Sequence, residues 1–143
     1  MDIKKIILVF VIAISPLNYV KADTIDFWHV SYNKIKIREY NQLVAIETLV
    51  LKLDSIEDND SITVNYFRDI SCNCLAFLVL EDENQTTTLT KLRKGTFVPL
   101  TFALKELINY KNRTNKNAIE IFYTESAMRN PKDKVLLFRI KLE

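Results

Sequence analysis

The chain has 143 residues, with 20 basic and 18 acidic side chains, a formal net charge of +2, two Cys, one His and one Gly. This length fits one domain of ordinary size, which can bury a core without a metal or several disulfides. The near balance of charge argues against nucleic acid and anionic lipid as partners, because clustered Lys and Arg hold both.

The first 22 residues have the pattern of a secretory signal peptide. Lys4 and Lys5 precede an apolar run over residues 6–14, Pro16 follows it, and residues 20–22 suit cleavage by a signal peptidase. The run is shorter than the about 20 apolar residues that a transmembrane helix needs. We therefore predict that this segment is removed.

Cleavage after residue 22 leaves residues 23–143, which we predict to form one β-rich domain. That domain has 17 basic and 17 acidic residues. We expect it to be secreted or periplasmic, with no integral membrane segment after cleavage.

Alternation of apolar and polar residues predicts half-buried strands through most of this domain. Trp28, Val30 and Tyr32 share one face of the first strand. Asn33 and Lys34 can then turn the chain into a second strand that ends near residue 40. The pattern predicts a β-hairpin.

Residues 43–53 fit two structures. Their β-branched residues favour a strand, whereas Leu43, Ile46, Val50 and Leu53 also form a helical stripe. We predict a strand, with a helix as the alternative.

Three later segments alternate more clearly and predict strands. Their inward residues are Ile62, Val64 and Tyr66; Ile119, Ile121 and Tyr123; and Leu136, Phe138, Ile140 and Leu142. In the last segment Leu137 is expected on the opposite face.

Residues 75–80 are apolar at consecutive positions, which is typical of a strand covered on both faces. Residues 97–102 predict a strand, and the spacing of Leu104 and Leu107 predicts a short helix after it, ending near residue 110. Residues 111–117 are expected to form the following loop.

Seven or eight short strands in one domain predict a mainly β fold: an antiparallel β-sandwich, immunoglobulin-like or similar, with one short helix. A barrel is the alternative. With one Gly in the chain, turns that need a positive φ must use Asn. The candidates are Asn33, Asn41, Asn59, Asn84, Asn115 and Asn130.

Cys72 and Cys74 form the one unusual local motif. In an exported protein they can pair with each other, although residues two apart in a strand lie about 7 Å apart, so a bridge needs a tight turn. A structural disulfide or two free thiols are favoured over a redox pair, because the C-x-x-C motif is absent. The spacing supplies no further metal ligand. We predict no metal and no cofactor.

Signals for catalysis are sparse. His29 is the sole His, and no nucleophile motif accompanies it. Two acidic loops, residues 54–60 and residues 81–83, raise calcium binding as an alternative to solvated turns. The spacing and Gly of an EF-hand are missing.

Aromatic residues and two-sided apolar strands are the remaining interface candidates. Trp28, Tyr32, Tyr40, Tyr66 and Phe67 could form a sugar-stacking or protein-binding patch, although Trp28 fits the core better. An aromatic residue on the polar side of its strand is the sharper candidate. The predicted interface residues are Phe27, Leu75, Phe77, Val79 and Phe122.

These observations predict an exported, non-catalytic binding or protein-interaction module whose partner is a protein or a glycan. One alternative is a small exported enzyme that acts on glycans or peptides through carboxylates. The other is a structural subunit of a surface assembly, paired through its edge strands.

Overall fold

The computed structural model describes residues 25–127 and 133–143, so the predicted signal peptide lies outside the described residues. A single turn of 3₁₀-helix covers Leu53–Ser55. The strands are β1 (Phe27–Tyr32), β2 (Ile35–Asn41), β3 (Thr48–Leu51), β4 (Ser61–Phe67), β5 (Leu75–Asp82), β6 (Thr87–Lys94), β7 (Leu100–Ala103), β8 (Ala118–Glu125) and β9 (Val135–Leu142), with the helix α1 (Leu104–Thr114) between β7 and β8.

Two sheets pack face to face, which confirms the predicted mainly β sandwich. The four-stranded sheet has the order β2-β1-β4-β7, and the five-stranded sheet has the order β3-β9-β8-β5-β6. Neighbouring strands are antiparallel except β3 and β9, which run parallel. The described residues thus contain nine strands, more than the seven or eight expected.

The predicted hairpin is β1 and β2. Asn33 and Lys34 join the strands with φ angles of 47° and 70°. Positive φ at both central residues matches the twist of the flanking strands and favours Asn at the first position. The hairpin is tied to β4, since Asn33 N donates to the carbonyl oxygen of Ser61 at 3.0 Å.

Among the other candidate Asn residues that the structure describes, only one has a positive φ angle. Asn115 ends α1 with φ 58°, as predicted, but the turn after β5 places Gln85 in the left-handed region instead of Asn84. Asn41 and Asn59 have no positive φ; Asn41 instead accepts hydrogen bonds from the backbone of residues 43 and 44. Asn130 lies outside the described residues.

Three elements differ from their expected lengths. Only Thr48–Leu51 of residues 43–53 forms a strand, and the helical alternative is wrong for that segment. The helix α1 continues to Thr114, four residues beyond the expected end, because Tyr110 also packs in the core. The strand before it begins at Leu100 instead of residue 97.

The strand β6 was not predicted. Its sequence is dominated by Thr, Lys and Arg, and it is an edge strand with most side chains exposed or half-buried. An edge strand has one neighbour and needs little apolar surface, so its hydrophobic signal is weak.

A β-bulge corrects the predicted facing of the last strand. Ile121 pairs with Phe138 and Phe122 pairs with Leu136, so Leu137 is the extra residue. Leu137 is buried while Leu136 is half-buried. The bulge moves Leu137 into the core and breaks the alternation that the sequence predicted.

The core between the sheets contains an aromatic layer. Tyr66 of β4 stacks on Tyr123 of β8 with ring centroids 4.0 Å apart, and Trp28 stacks beside Tyr66 at 6.0 Å. Tyr40 stacks on Phe138 at 6.0 Å. The prediction that Trp28 belongs to the core is confirmed.

The helix α1 covers the core where the chain crosses from one sheet to the other. Leu104 and Leu107 are buried in the core cluster. Glu106 accepts a hydrogen bond from Lys91 of β6 at 2.9 Å, which holds the helix against that edge strand. In the described part of the chain, no helix has the length and apolar character needed to cross a membrane.

The hairpin turn yields a test of stability. Replacing Lys34 by Gly should raise the free energy of unfolding by about 0.5 to 1 kcal/mol, because Gly removes the Cβ penalty at φ 70°. Urea denaturation measures the change. Lys52→Gly is the matched control: Lys52 is also exposed but has φ −82°, so this change should destabilise. A lower urea midpoint for Lys34→Gly would contradict this account of the turn.

Candidate functional site

Four aromatic side chains gather on the outer face of the four-stranded sheet. They are Phe27, His29, Phe67 and Phe97, which we call the aromatic surface. Phe27 and Phe97 are 37% and 46% exposed, and Phe67 is half-buried. Phe27 and Phe67 are direct partners across β1 and β4. The predicted interface residue Phe27 is therefore one member of a larger cluster.

The three Phe rings of the aromatic surface form a stack, and the His29 ring is tilted against Phe27 and Phe67. The centroids of Phe27 and Phe67 are 4.8 Å apart with an angle of 14° between the ring planes, and Phe97 continues the stack at 6.4 Å and 26°. The first spacing matches the usual distance of about 4.8 Å between neighbouring strands, as expected for side chains of directly paired residues. In each pair, the ring face that meets the neighbouring ring is covered by it.

A polar group borders the aromatic surface. His29 Nε2 lies 3.0 Å from Glu39 Oε2, and Lys36 Nζ donates to the same oxygen at 2.9 Å. The hydrogen bond from Lys36 and its charge hold the pKa of the Glu39 carboxyl below its usual value. The sole His thus contacts aromatic rings and a carboxylate on the surface of the sheet.

The other predicted interface residues lie on the opposite side of the sandwich. Leu75, Phe77 and Val79 face outward from β5, and Leu75 is 42% exposed. The expectation that this segment is covered on both faces is wrong, since only its alternate residues enter the core. Phe122 is nearly buried, at 9% exposure, and the Lys134 amino group lies 4.2 Å from the centre of its ring.

Cys72 and Cys74 are joined in a disulfide, with Cα atoms 5.2 Å apart. Three backbone hydrogen bonds position this loop: Cys72 N donates to Thr96 Oγ1 at 2.8 Å, Gly95 N donates to the Cys74 oxygen at 2.8 Å, and Thr96 N donates to the Cys72 oxygen at 3.3 Å. The loop is therefore fixed to the segment between β6 and β7 by contacts that do not involve sulfur.

Glu125, at the end of β8, brings a buried carboxylate to the disulfide. Its side chain is 1% exposed, and its Oε2 lies 3.5 Å from Cys72 Sγ. Arg68 Nη1 donates to Oε2 at 2.8 Å, and the Tyr123 hydroxyl donates to Oε1 at 2.5 Å. Burial raises the pKa of Tyr123, and the hydrogen bond to Glu125 adds to the effect. We call Arg68, Cys72, Cys74, Thr96 and Glu125 the sulfur cluster.

Sequence reasoning did not find most of these residues. Phe97 lies in a loop, and Arg68, Thr96 and Glu125 are separated from the cysteines by 4 to 53 positions along the chain. A partial signal existed for Glu125, because it follows Tyr123 at an alternate position and so had to face the core.

Carboxylates of the two acidic loops accept hydrogen bonds from side chains elsewhere in the fold. Asp60 accepts hydrogen bonds from Tyr32 and Asn33, the first of which most lowers the pKa of its carboxyl; burial and this bond raise the pKa of Tyr32 to about 12. Asp82 accepts from Tyr110 at 2.6 Å and Lys116 at 2.8 Å. Within residues 25–127 and 133–143, these loops do not bring three ligand atoms within reach of one cation.

A depression of about 360 Å³ lies elsewhere on the surface and is lined partly by Glu83, Glu120 and Arg139. Arg139 Nε donates to Glu120 Oε1 at 2.8 Å. One of the two carboxylates at this depression is therefore held in an ion pair.

Comparison of the chain with protein-family models, with curated proteins and with solved structures finds no match. The function must therefore be argued from the residues themselves.

The environment of Asp82 predicts a pH dependence of stability. The hydrogen bond from Lys116, followed by that from Tyr110, holds its pKa well below the ordinary value of 3.8. The carboxylate therefore stabilises the fold above pH 3.8, and this contribution is lost as the pH falls through the lower, folded-state pKa. Asp82→Asn should lower the urea midpoint at pH 7 and flatten its decline toward pH 3. Asp58→Asn, at an exposed carboxylate, should keep the wild-type decline. Parallel curves for wild type and Asp82→Asn would refute the assignment.

Proposed function

We propose that this chain is an exported, non-catalytic module that binds a protein through the aromatic surface. The observation that carries the proposal is the exposed stack of Phe27, Phe67 and Phe97 on the outer face of the four-stranded sheet. Its export rests on the predicted signal peptide.

Exposed aromatic rings favour association, because each carries a large apolar area that becomes buried in a complex. Aromatic residues are enriched at protein interfaces and among the residues that contribute most to binding. The neighbouring rings limit the movement of Phe27 and Phe67, so little side-chain entropy is lost when a partner covers them. The surface is in this sense preorganised.

Ring orientation favours a protein over a glycan. A sugar ring packs on an open aromatic face, whereas Phe27 and Phe67 each cover one face of the other at 4.8 Å. Ring edges carry partial positive charge and accept apolar side chains or the faces of other aromatic rings. A partner with an aromatic or aliphatic anchor beside an acidic or amide group therefore fits both the stack and the neighbouring His29.

The absence of catalysis is argued from how the acidic groups are used. Each buried carboxylate of the described residues accepts a hydrogen bond from a side chain of this chain; these residues are Asp60, Glu81, Asp82 and Glu125. A general acid or nucleophile needs a carboxylate that can reach a substrate. Asp60, Glu81 and Asp82 are used in these structural contacts, whereas Glu125, which borders a cavity, is held by Arg68 and Tyr123.

Site-specific photocrosslinking in the native host tests the proposal. The full chain, with p-benzoylphenylalanine in place of Phe97, should yield one discrete adduct with another protein after irradiation. The same group in place of Leu92 is the matched control, since Leu92 is 52% exposed but belongs to the other sheet. It should not yield that adduct.

The purified partner then permits a measurement of affinity. Phe27→Ala and Phe97→Ala should each weaken binding by roughly thirtyfold, the effect of losing about 2 kcal/mol at an interface anchor. Leu92→Ala should bind like wild type. Equal adducts at positions 97 and 92 would refute the assignment of the surface. An adduct of twice the chain mass would favour the surface-assembly alternative instead.

A further inference from the structure

We infer that reduction of the Cys72–Cys74 disulfide creates a site for one Zn²⁺ ion, held by the two Cys thiolates and the Glu125 carboxylate. The inference concerns the sulfur cluster and is independent of the proposed protein-binding function. It assigns a third ligand that lies 51 residues beyond Cys74 in the sequence.

The ligand atoms are already close together. One carboxylate oxygen of Glu125 lies within 4.8 Å of both sulfur atoms, which the disulfide joins to each other. Tetrahedral Zn²⁺ with bonds of about 2.3 Å to sulfur and 2.1 Å to oxygen sets a sulfur-to-oxygen distance of roughly 3.6 Å. Cys72 Sγ lies 3.5 Å from Glu125 Oε2. This pair needs almost no rearrangement to share a cation.

The loop should keep its place after reduction. The hydrogen bonds from Cys72 N to Thr96 and from Gly95 N to Cys74 fix the backbone on both sides of Asn73. Leu75 N also donates to Ser126 Oγ at 3.0 Å, directly beyond Glu125. Breaking the sulfur–sulfur bond therefore leaves both thiols beside the carboxylate.

The carboxylate is oriented in advance. Tyr123 donates to Oε1 and Arg68 donates to Oε2. Each carboxylate oxygen has two acceptor positions, so one remains on Oε2 for a cation. Hydrogen bonds of this kind fix the orientation of metal ligands in known sites.

Charge makes the site depend on the oxidation state. In the disulfide form Glu125 and Arg68 carry opposite single charges, and the cluster is neutral. Two thiolates would bring the cluster to a charge of −2, which is unfavourable beside a buried carboxylate. A divalent cation neutralises that charge. The reduced cluster should bind Zn²⁺, whereas the oxidised cluster has neither the charge nor the thiolates.

A cavity gives access to the cluster. It has a volume of about 170 Å³ and is lined by Arg68, Ile70, Cys72, Glu125 and Ala127. Three protein ligands leave the fourth position of Zn²⁺ for water, as in sites where the metal remains reachable.

The reaction balances with a dithiol as the reductant. The dithiol transfers two electrons and two protons to the Cys72–Cys74 bond and becomes a disulfide itself, while Cys72 and Cys74 become thiols. Binding of Zn²⁺ then forms two zinc–sulfur bonds and one zinc–oxygen bond and releases the two thiol protons.

Titration of the full chain with Co²⁺ tests the inference, because Co²⁺ is a spectroscopic substitute for Zn²⁺. Protein reduced with a phosphine under nitrogen should show thiolate-to-cobalt charge-transfer absorption that saturates at one ion per chain and disappears when Zn²⁺ is added. The disulfide form and the variants Cys72→Ser and Cys74→Ser should lack this absorption. A reduced wild-type protein without it would overturn the inference.

The role of Glu125 needs its own variant. Glu125→Gln should weaken Co²⁺ binding by roughly tenfold or more, since even residues that only orient a ligand commonly contribute that much. Glu120→Gln is the matched control on the same strand and is also paired with an Arg. Unchanged affinity in Glu125→Gln would refute the third ligand. If that variant does not fold, X-ray absorption of the Zn²⁺-loaded wild type decides: two sulfur ligands with oxygen support the site, and any other sulfur count refutes it.

Discussion

The stacking of Tyr66 on Tyr123 sets how the two sheets sit on each other. These rings come from β4 and β8, and their centroids are 4.0 Å apart within the core. Both side chains are large and polar at one end, so their hydroxyl groups need acceptors as well as room. Asp26 supplies one at 2.6 Å and Glu125 supplies the other at 2.5 Å. Burial of these two tyrosines therefore requires a carboxylate beside each of their hydroxyl groups.

The same contact places the aromatic surface and the sulfur cluster at one end of the sandwich. Tyr66 faces the core, so the next residue, Phe67, must face outward, and Arg68 follows it to reach Glu125. A second segment repeats the arrangement, because Thr96 contacts Cys72 and Phe97 joins the aromatic stack. Adjacent residues therefore belong to the aromatic surface and to the sulfur cluster in two separate segments, one at the end of β4 and one in the turn after β6.

In this protein, which has one Gly, buried carboxylates join secondary-structure elements through hydrogen bonds and ion pairs. Asp82 alone connects the end of β5 to α1, through Tyr110, and to the segment before β8, through Lys116. It also accepts backbone hydrogen bonds from the turn that contains Gln85. A carboxylate with this many donors is stable when buried, whereas removing Lys116, its cationic partner, leaves an uncompensated buried charge. Acidic loops that resemble a calcium site in the sequence therefore stabilise the fold.

The sequence by itself determined most of the strands, the sandwich and the hairpin turn at Asn33, because a period of two residues and local backbone preferences are properties of short segments. It also singled out Phe27 and the two cysteines. Only the tertiary structure decided that Phe97 completes the aromatic stack, that Leu137 enters the core at a bulge, and that Glu125 meets Cys72. The physical reason is that register and loop placement depend on contacts between distant segments, which no local pattern of residues encodes.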